Sequence, residues 1–208
     1  MVSSTTTESF PDGDLVNHTL NVSAPQRLLL KEQRVFDSEG NSRTTKTSYP
    51  HDLNNNTLIA QNRVATPLRV IDYKRVGLSP EVKLASQNTV YGTKSGNYVP
   101  IREQTSKGNN AFEDRITYRS YTNKGRLKEA SKKDGTKIYY VWGYNHMYPI
   151  AKIEGYTTIS STQLSYINQA ITASNNDTSV TTENTLRTKL TQLRNAFTST
   201  NVQVTSYT

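Results

Sequence analysis

The stretch from Tyr118 to Tyr144 alternates apolar and aromatic runs with turn-forming residues, a pattern that consecutive antiparallel strands satisfy. Ile116, Tyr118 and Ser120 alternate with Thr117, Arg119 and Tyr121, as on a half-buried strand. Asn123-Lys124-Gly125 supplies a turn, because glycine tolerates the positive φ that tight turns need. Leu127 and Ala130 open a second strand, and Asp134-Gly135 is a strong hairpin signal. Beyond it, Ile138, Tyr140, Trp142 and Tyr144 share one face at period two, with Lys137, Tyr139, Val141 and Gly143 opposite. Large aromatics dominate burial, so the Tyr140–Trp142–Tyr144 face is expected to be core.

The rest of the chain extends the meander. Residues 1–21 are polar and broken by Pro11, Asp12 and Gly13, which predicts a flexible arm. A strand is expected from Leu28 to Phe36, a turn over Phe36-Asp37-Ser38-Glu39-Gly40-Asn41, and a returning strand over Arg43–Tyr49. A short helix follows near Thr57–Arg63, then strands at Leu68–Arg75, Val82–Val90 and Tyr98–Gln104, broken by Gly77, Ser95-Gly96-Asn97 and Gly108-Asn109-Asn110. Breaks this frequent favour an antiparallel meander over βαβ units.

After Gly155 the period changes. Leu164, Ile167 and Ile171, then Leu186, Leu190, Leu193 and Phe197, make two helical stripes. Ser160 to Gln163 offers a capping box for the first, and Thr181-Thr182-Glu183 a cap for the second. The fold class is therefore mainly β, an antiparallel meander of hairpins with an αα-hairpin near its C-terminus. The expected parts are an arm over 1–21, a β region over 22–155, the αα-hairpin over 156–200 and the start of a further strand over 201–208.

Composition bounds the function. Hydrophobic residues are 33% of 208, lean for a self-contained globule, though thirteen Tyr supply large rings with polar tips. There is no Cys, which excludes disulfides and thiolate metal sites. His18, His51 and His146 stand far apart, and no nucleophile, base and third group form a recognisable set. No catalytic residue, metal or cofactor is expected. The net charge of +8 is spread along the chain, so protection of strand edges is favoured and no nucleic-acid partner is expected. No run is long and apolar enough for a membrane span.

The motif Tyr121, Gly125-Arg126-Leu127, Asp134-Gly135 and Tyr139-Tyr140 resembles a YD repeat of the Rhs family, with Thr122 where an Asp usually follows the aromatic. Phe36-Asp37 with Gly40 is a degenerate second copy. The continuation Val141-Trp142-Gly143-Tyr144-Asn145 and Tyr148-Pro149-Ile150-Ala151-Lys152-Ile153-Glu154 is similar to the variety found in Bacteroidota. The resemblance implies a structural segment of a large secreted or cell-surface protein, one that contributes strands to a β-shell able to enclose a C-terminal toxin. Its implied partners are other segments of the same polypeptide, an assembly partner along strand edges, and the enclosed toxin domain. It implies an export signal upstream and the type IX route. The repeat-motif residues are Tyr118, Tyr121, Gly125, Leu127, Asp134, Gly135, Tyr140, Trp142 and Tyr144. An alternative is a cell-surface adhesin or carbohydrate-binding module using the Tyr/Trp-rich strand, with Tyr139 and Tyr148 in a ligand platform.

Overall fold

The computed structural model describes the backbone of residues 2–10, 13–24 and 29–207, and side chains from residue 29 onward. The chain forms two compact units. The first comprises Met1–Tyr91 and Arg102–Arg115, the second Gly92–Ile101 and Ile116–Thr208. Both are mainly antiparallel β, and the helical pair belongs to the second.

In the first unit the strands are β1 (Val2–Phe10), β2 (Gly13–Ala24), β3 (Leu29–Phe36), β4 (Ser42–Ser48) and β5 (Arg69–Arg75), each paired with the next. A short helix, α1 (Asn56–Ala60), follows β4, and β5 pairs with β6 (Val82–Lys94). Where composition predicts an arm over 1–21, the backbone forms the β1–β2 hairpin, with Val2 opposite Asn21. The polar alternation there suits a strand pair as well as it suits a free chain. Pro11, Asp12 and Leu28, which entered the sequence reading, lie outside the described residues, as do Met1 and Thr208.

The buried interior of this unit is partly polar. Ser42, Thr44, Ser86 and Ser106 are buried beside Leu58 and Leu68. Burying a hydroxyl is costly unless it is hydrogen-bonded; Ser42 Oγ is buried without a partner, and the other three are paired. Ser86 and Ser106 meet Oγ to Oγ at 2.7 Å. Thr44 accepts from Arg34 Nε at 3.2 Å and donates to Glu81 at 2.9 Å. Arg34 and Lys46 also pair with Glu81. Burial alone would raise the Glu81 pKa, but the Thr44 and Lys46 hydrogen bonds and the two cations hold it below the ordinary value.

The second unit contains β8 (Glu113–Tyr121) from Ile116 onward, β9 (Leu127–Lys132), β10 (Lys137–Gly143) and β11 (Tyr148–Glu154). It ends with α2 (Ser161–Asn175), α3 (Val180–Asn195) and β12 (Gln203–Ser206). The tip of the hairpin formed by β6 and β7 (Asn97–Lys107) also belongs to it, turning at Ser95 and Gly96, both at positive φ. Strands β8 to β12 pair in sequence order.

The core of this unit lies between β10–β11 and the two helices. Val141, Ile150, Ala151 and Ile153 pack with Ile167, Ala170, Leu186, Leu190 and Leu193. A bulge shifts the β10–β11 register between Val141, opposite Ala151, and Trp142, opposite Pro149. The extra residue, Ile150, therefore enters the core beside Ala151 in place of alternating away. The expectation that the Tyr140–Trp142–Tyr144 face is core is corrected here. The helices cover the Val141–Gly143 side, and Tyr140 and Trp142 remain half-buried. Gly143 is what permits the approach: a Cβ there would stand 2.3 Å from Ser174 Oγ and 2.7 Å from Ile150 Cγ2.

The Ser160–Gln163 capping box starts α2 as expected. The cap of α3 is Ser179, paired with Thr182, two residues before the expected Thr181. Both hydroxyls occupy the position where a side chain satisfies an orphan N–H.

One turn geometry recurs three times. Asp37 N donates to Asn41 O at 3.1 Å and Gly40 N to Asp37 O at 3.2 Å. Thr122 N donates to Arg126 O at 2.8 Å and Gly125 N to Thr122 O at 3.0 Å. Lys132 N donates to Thr136 O at 2.9 Å and Gly135 N to Lys132 O at 3.0 Å. The glycines sit at φ 77°, 72° and 87°. Asp37 accepts the N–H groups of Asn41 and Glu39. Thr122 does half of this work, its Oγ1 accepting from Arg126 N at 3.2 Å.

Three outcomes are expected in urea unfolding. Gly135 has open space around its missing Cβ, so Gly135→Ala should cost only the strain of positive φ, about 1 kcal/mol. Gly143→Ala should cost about 3 kcal/mol, because Ser174 and α2 must move. Thr122→Asp should stabilise by about 0.5–1 kcal/mol at neutral pH, as a second oxygen takes the Lys124 N–H. The Asp37 carboxyl is held below its ordinary pKa first by the Asn41 side-chain hydrogen bond. An Asp at 122, accepting the backbone N–H groups of Lys124 and Arg126, should likewise add stability above the unfolded carboxylate pKa and lose it as pH falls, which unfolding at pH 7 and pH 3 would check.

Candidate functional site

The second unit carries twelve Lys and Arg against five Asp and Glu, so nearly all of the net charge resides there. The even spread along the sequence does not persist in the fold. Within this basic unit, a cleft of about 320 Å³ opens where β10 leaves β9. The two strands pair only through Lys137–Tyr139 and Ser131–Glu129, so β10 runs on past its neighbour. Tyr139, Tyr140 and Trp142 from β10 and Tyr121 at the end of β8 line the gap. Asn168 and Ile171 of α2 line it from the helical side, and Thr122, Asn123, Lys128 and His146 complete it.

Three of these aromatics are anchored, Tyr121, Trp142 and Tyr139. The Tyr121 hydroxyl donates to the Pro100 carbonyl. Trp142 Nε1 donates to Leu127 O at 2.6 Å. The Arg126 guanidinium lies 5.7 Å from the Trp142 ring centroid, and Lys128 Nζ lies 5.6 Å from that of Tyr139. Tyr139 also meets Tyr156 edge to face at 6.3 Å. These contacts hold the rings in place and put two cations beside them.

His146 reaches the cleft through an unusual backbone. Tyr144, Asn145 and His146 have φ of 49°, 55° and 69°, a left-handed turn built from non-glycine residues. Each such residue is strained by roughly 1–2 kcal/mol, so the turn must be held from outside. The C-terminal end of α2 holds it. Ser174 Oγ accepts from Tyr144 N at 3.3 Å, and Asn175 Oδ1 accepts from Asn145 N at 2.8 Å. The Tyr144 hydroxyl donates to Asp177 at 2.8 Å, and its pKa is pushed up to about 12 by burial and by that hydrogen bond. His146 Nδ1 is buried without a hydrogen-bond partner.

The expected site residues therefore separate. Tyr121, Tyr139, Tyr140 and Trp142 come together in the cleft. Tyr144, expected on the strand face, lies in the left-handed turn instead and packs toward the helices. Tyr148 is exposed and stacks edge-on with Tyr144 at 6.0 Å, so it shares no platform with Tyr139. Tyr118 is half-buried opposite Ala130 on β9. Gly125, Asp134 and Gly135 serve the turns, and Leu127 supplies the carbonyl that receives Trp142. Lys128, His146 and Asn168 were missed. They are separated in sequence, and Asn145 before His146 was the only local hint of a left-handed turn.

A larger depression, about 710 Å³, lies along α2 and α3. It is lined by short polar side chains such as Ser165, Thr172 and Thr185 and contains no aromatic ring. The smaller cleft has the chemistry of a recognition site, with aromatic rings, cations and a histidine whose buried Nδ1 is unpaired. Among the described residues no group of three His, Asp or Glu gathers in a way that could hold a metal ion, and no helix is long and apolar enough to cross a membrane. The chain matches no protein-family model and no curated protein.

Removing the clamp hydroxyl tests the geometry. Tyr144→Phe should destabilise by about 1.5 kcal/mol at pH 7 through loss of a hydrogen bond to a carboxylate. The unfolded phenol ionises near 10 and the folded one near 12, so stability falls as pH rises between those values. The variant lacks this contribution, and its chemical-denaturation stability should decline less steeply from pH 10 to pH 12.

Proposed function

We propose that this chain is a non-catalytic structural segment of a large secreted or cell-surface protein of the Rhs/YD-repeat type, contributing strands to a β-shell that can enclose a C-terminal toxin. The observation that carries the reading is the recurrence of one turn, with the same pair of backbone hydrogen bonds and a positive-φ glycine, at Asp37–Asn41, Thr122–Arg126 and Lys132–Thr136. Two of these follow an aromatic, Phe36 and Tyr121. A tandem hairpin architecture needs such a turn repeated, because each hairpin covers its neighbour and cannot bury a full face alone. The partly polar interior of the first unit supports the same reading. Export by the type IX route and an origin in Bacteroidota belong to this proposal.

A second reading, a cell-surface adhesin or carbohydrate-binding module, is favoured by the aromatic cleft. The two separate in solution. Sedimentation velocity over a range of concentrations, with thermal melting, should show self-association and a broad low-temperature transition if strand edges need partners. A monomer with one sharp, high-temperature transition would remove the shell reading and leave the binding module.

A further inference from the structure

We propose that the cleft between β10 and α2 binds an acidic saccharide, a chain of pyranose rings bearing carboxylates. The inference rests on the second of the two functional readings and specifies its ligand. Its first support is the shape and lining. The volume of about 320 Å³ is at the lower end for ligand sites and suits one or two sugar rings. Tyr139, Tyr140 and Trp142 line the cleft with aromatic surface that a pyranose ring covers with its C–H groups, and Trp142 Nε1 stays hydrogen-bonded to Leu127 O. Thr122, Asn123 and Asn168 offer hydroxyl and amide groups to sugar hydroxyls.

A second support is independent of the rings. His146 lines the cleft, and its Nδ1 is buried and unpaired. A buried polar nitrogen left without a partner is unfavourable, and a ligand hydroxyl would satisfy it. The chain holds this nitrogen there through three consecutive left-handed residues, clamped by Ser174, Asn175 and Asp177. Strain of this kind, held by so many external contacts, is the pattern of a positioned binding group.

The charge selects the saccharide class. No Asp or Glu lines the cleft, whereas Lys128 does and Arg126 stands over Trp142. Both cations are exposed and engaged only through ring faces among the contacts described, so their N–H groups remain open to a carboxylate. The surrounding unit, with twelve basic and five acidic residues, attracts an anion at longer range.

Trp142 is the one tryptophan of the chain and lines the cleft, so its fluorescence reports occupancy directly. The experiment titrates the full chain with oligogalacturonate, with a neutral malto-oligosaccharide of the same length, and with oligo-dT. Saturable quenching or shift by oligogalacturonate alone is the expected result. Lys128→Gln and His146→Ala, each checked for an unchanged circular-dichroism spectrum, should weaken it about tenfold, the equivalent of one charge-assisted hydrogen bond. Equal or tighter binding of the neutral sugar would overturn the acidic specificity and leave the carbohydrate reading standing. No response to either sugar would overturn both. Preferential binding of oligo-dT would replace the saccharide with a nucleic acid. Should either variant misfold, Lys128→Glu at the exposed mouth gives the same test, and wild-type affinity in it would overturn the role of the cation.

Discussion

The second unit depends on one close approach, the seating of α2 against β10 at Gly143. A sheet with few apolar residues must find cover for the ones it has. Val141, Ile150 and Ile153 find it under Ile167, Leu186, Leu190 and Leu193. Each fully buried aliphatic side chain contributes roughly 1.5–3 kcal/mol, so this cluster outweighs the surface ion pairs of the same unit, which contribute about 0–1 kcal/mol each. The approach needs a residue without a Cβ, since Ser174 and Ile150 occupy the space a side chain would take. The helices are thus the other half of a two-layer core.

The same contact shapes the cleft. Because Ser174, Asn175 and Asp177 sit at the end of α2, they are placed to hold Tyr144 and Asn145 in a left-handed turn. That turn carries His146 to the aromatic end of β10. Packing, strain and the unpaired imidazole nitrogen are consequences of one helix docking on one strand. The first unit solves its own interior differently. The buried hydroxyls of Ser86 and Ser106 are matched with one another and that of Thr44 with the Arg34–Glu81–Lys46 cluster, so hydrogen bonding does there part of what apolar packing does in the second unit.

Charge follows the division between units. Along the sequence the basic residues look evenly spaced, because both units contain many. Acids are what differ, twelve in the first unit and five in the second. Electrostatic character is therefore a property of each unit, and only the second has a pronounced one. Its cations are also close to aromatic rings, at Arg126–Trp142, Lys128–Tyr139 and Lys137–Tyr156.

Local chemistry by itself marked the strands from β3 to β10, most of their turns and the helical pair. Period-two alternation marked β8 and β10, turn residues bounded the others, and Gly125 and Gly135 took the positive φ that their turns require. Ser160 and Gln163 capped α2 because that motif is satisfied within four residues. What only tertiary structure decided is which face of each strand is covered. Both faces of β10 carry large side chains, so periodicity alone could not choose between Tyr140–Trp142 and Val141–Gly143. A bulge at Ile150, a missing Cβ at Gly143 and the docking of α2 made the choice. The cleft was legible in part, as a run of Tyr and Trp. Its His146, Lys128 and Asn168 were not, since they come from a strained turn, a neighbouring strand and a helix, and only folding brings them to one place.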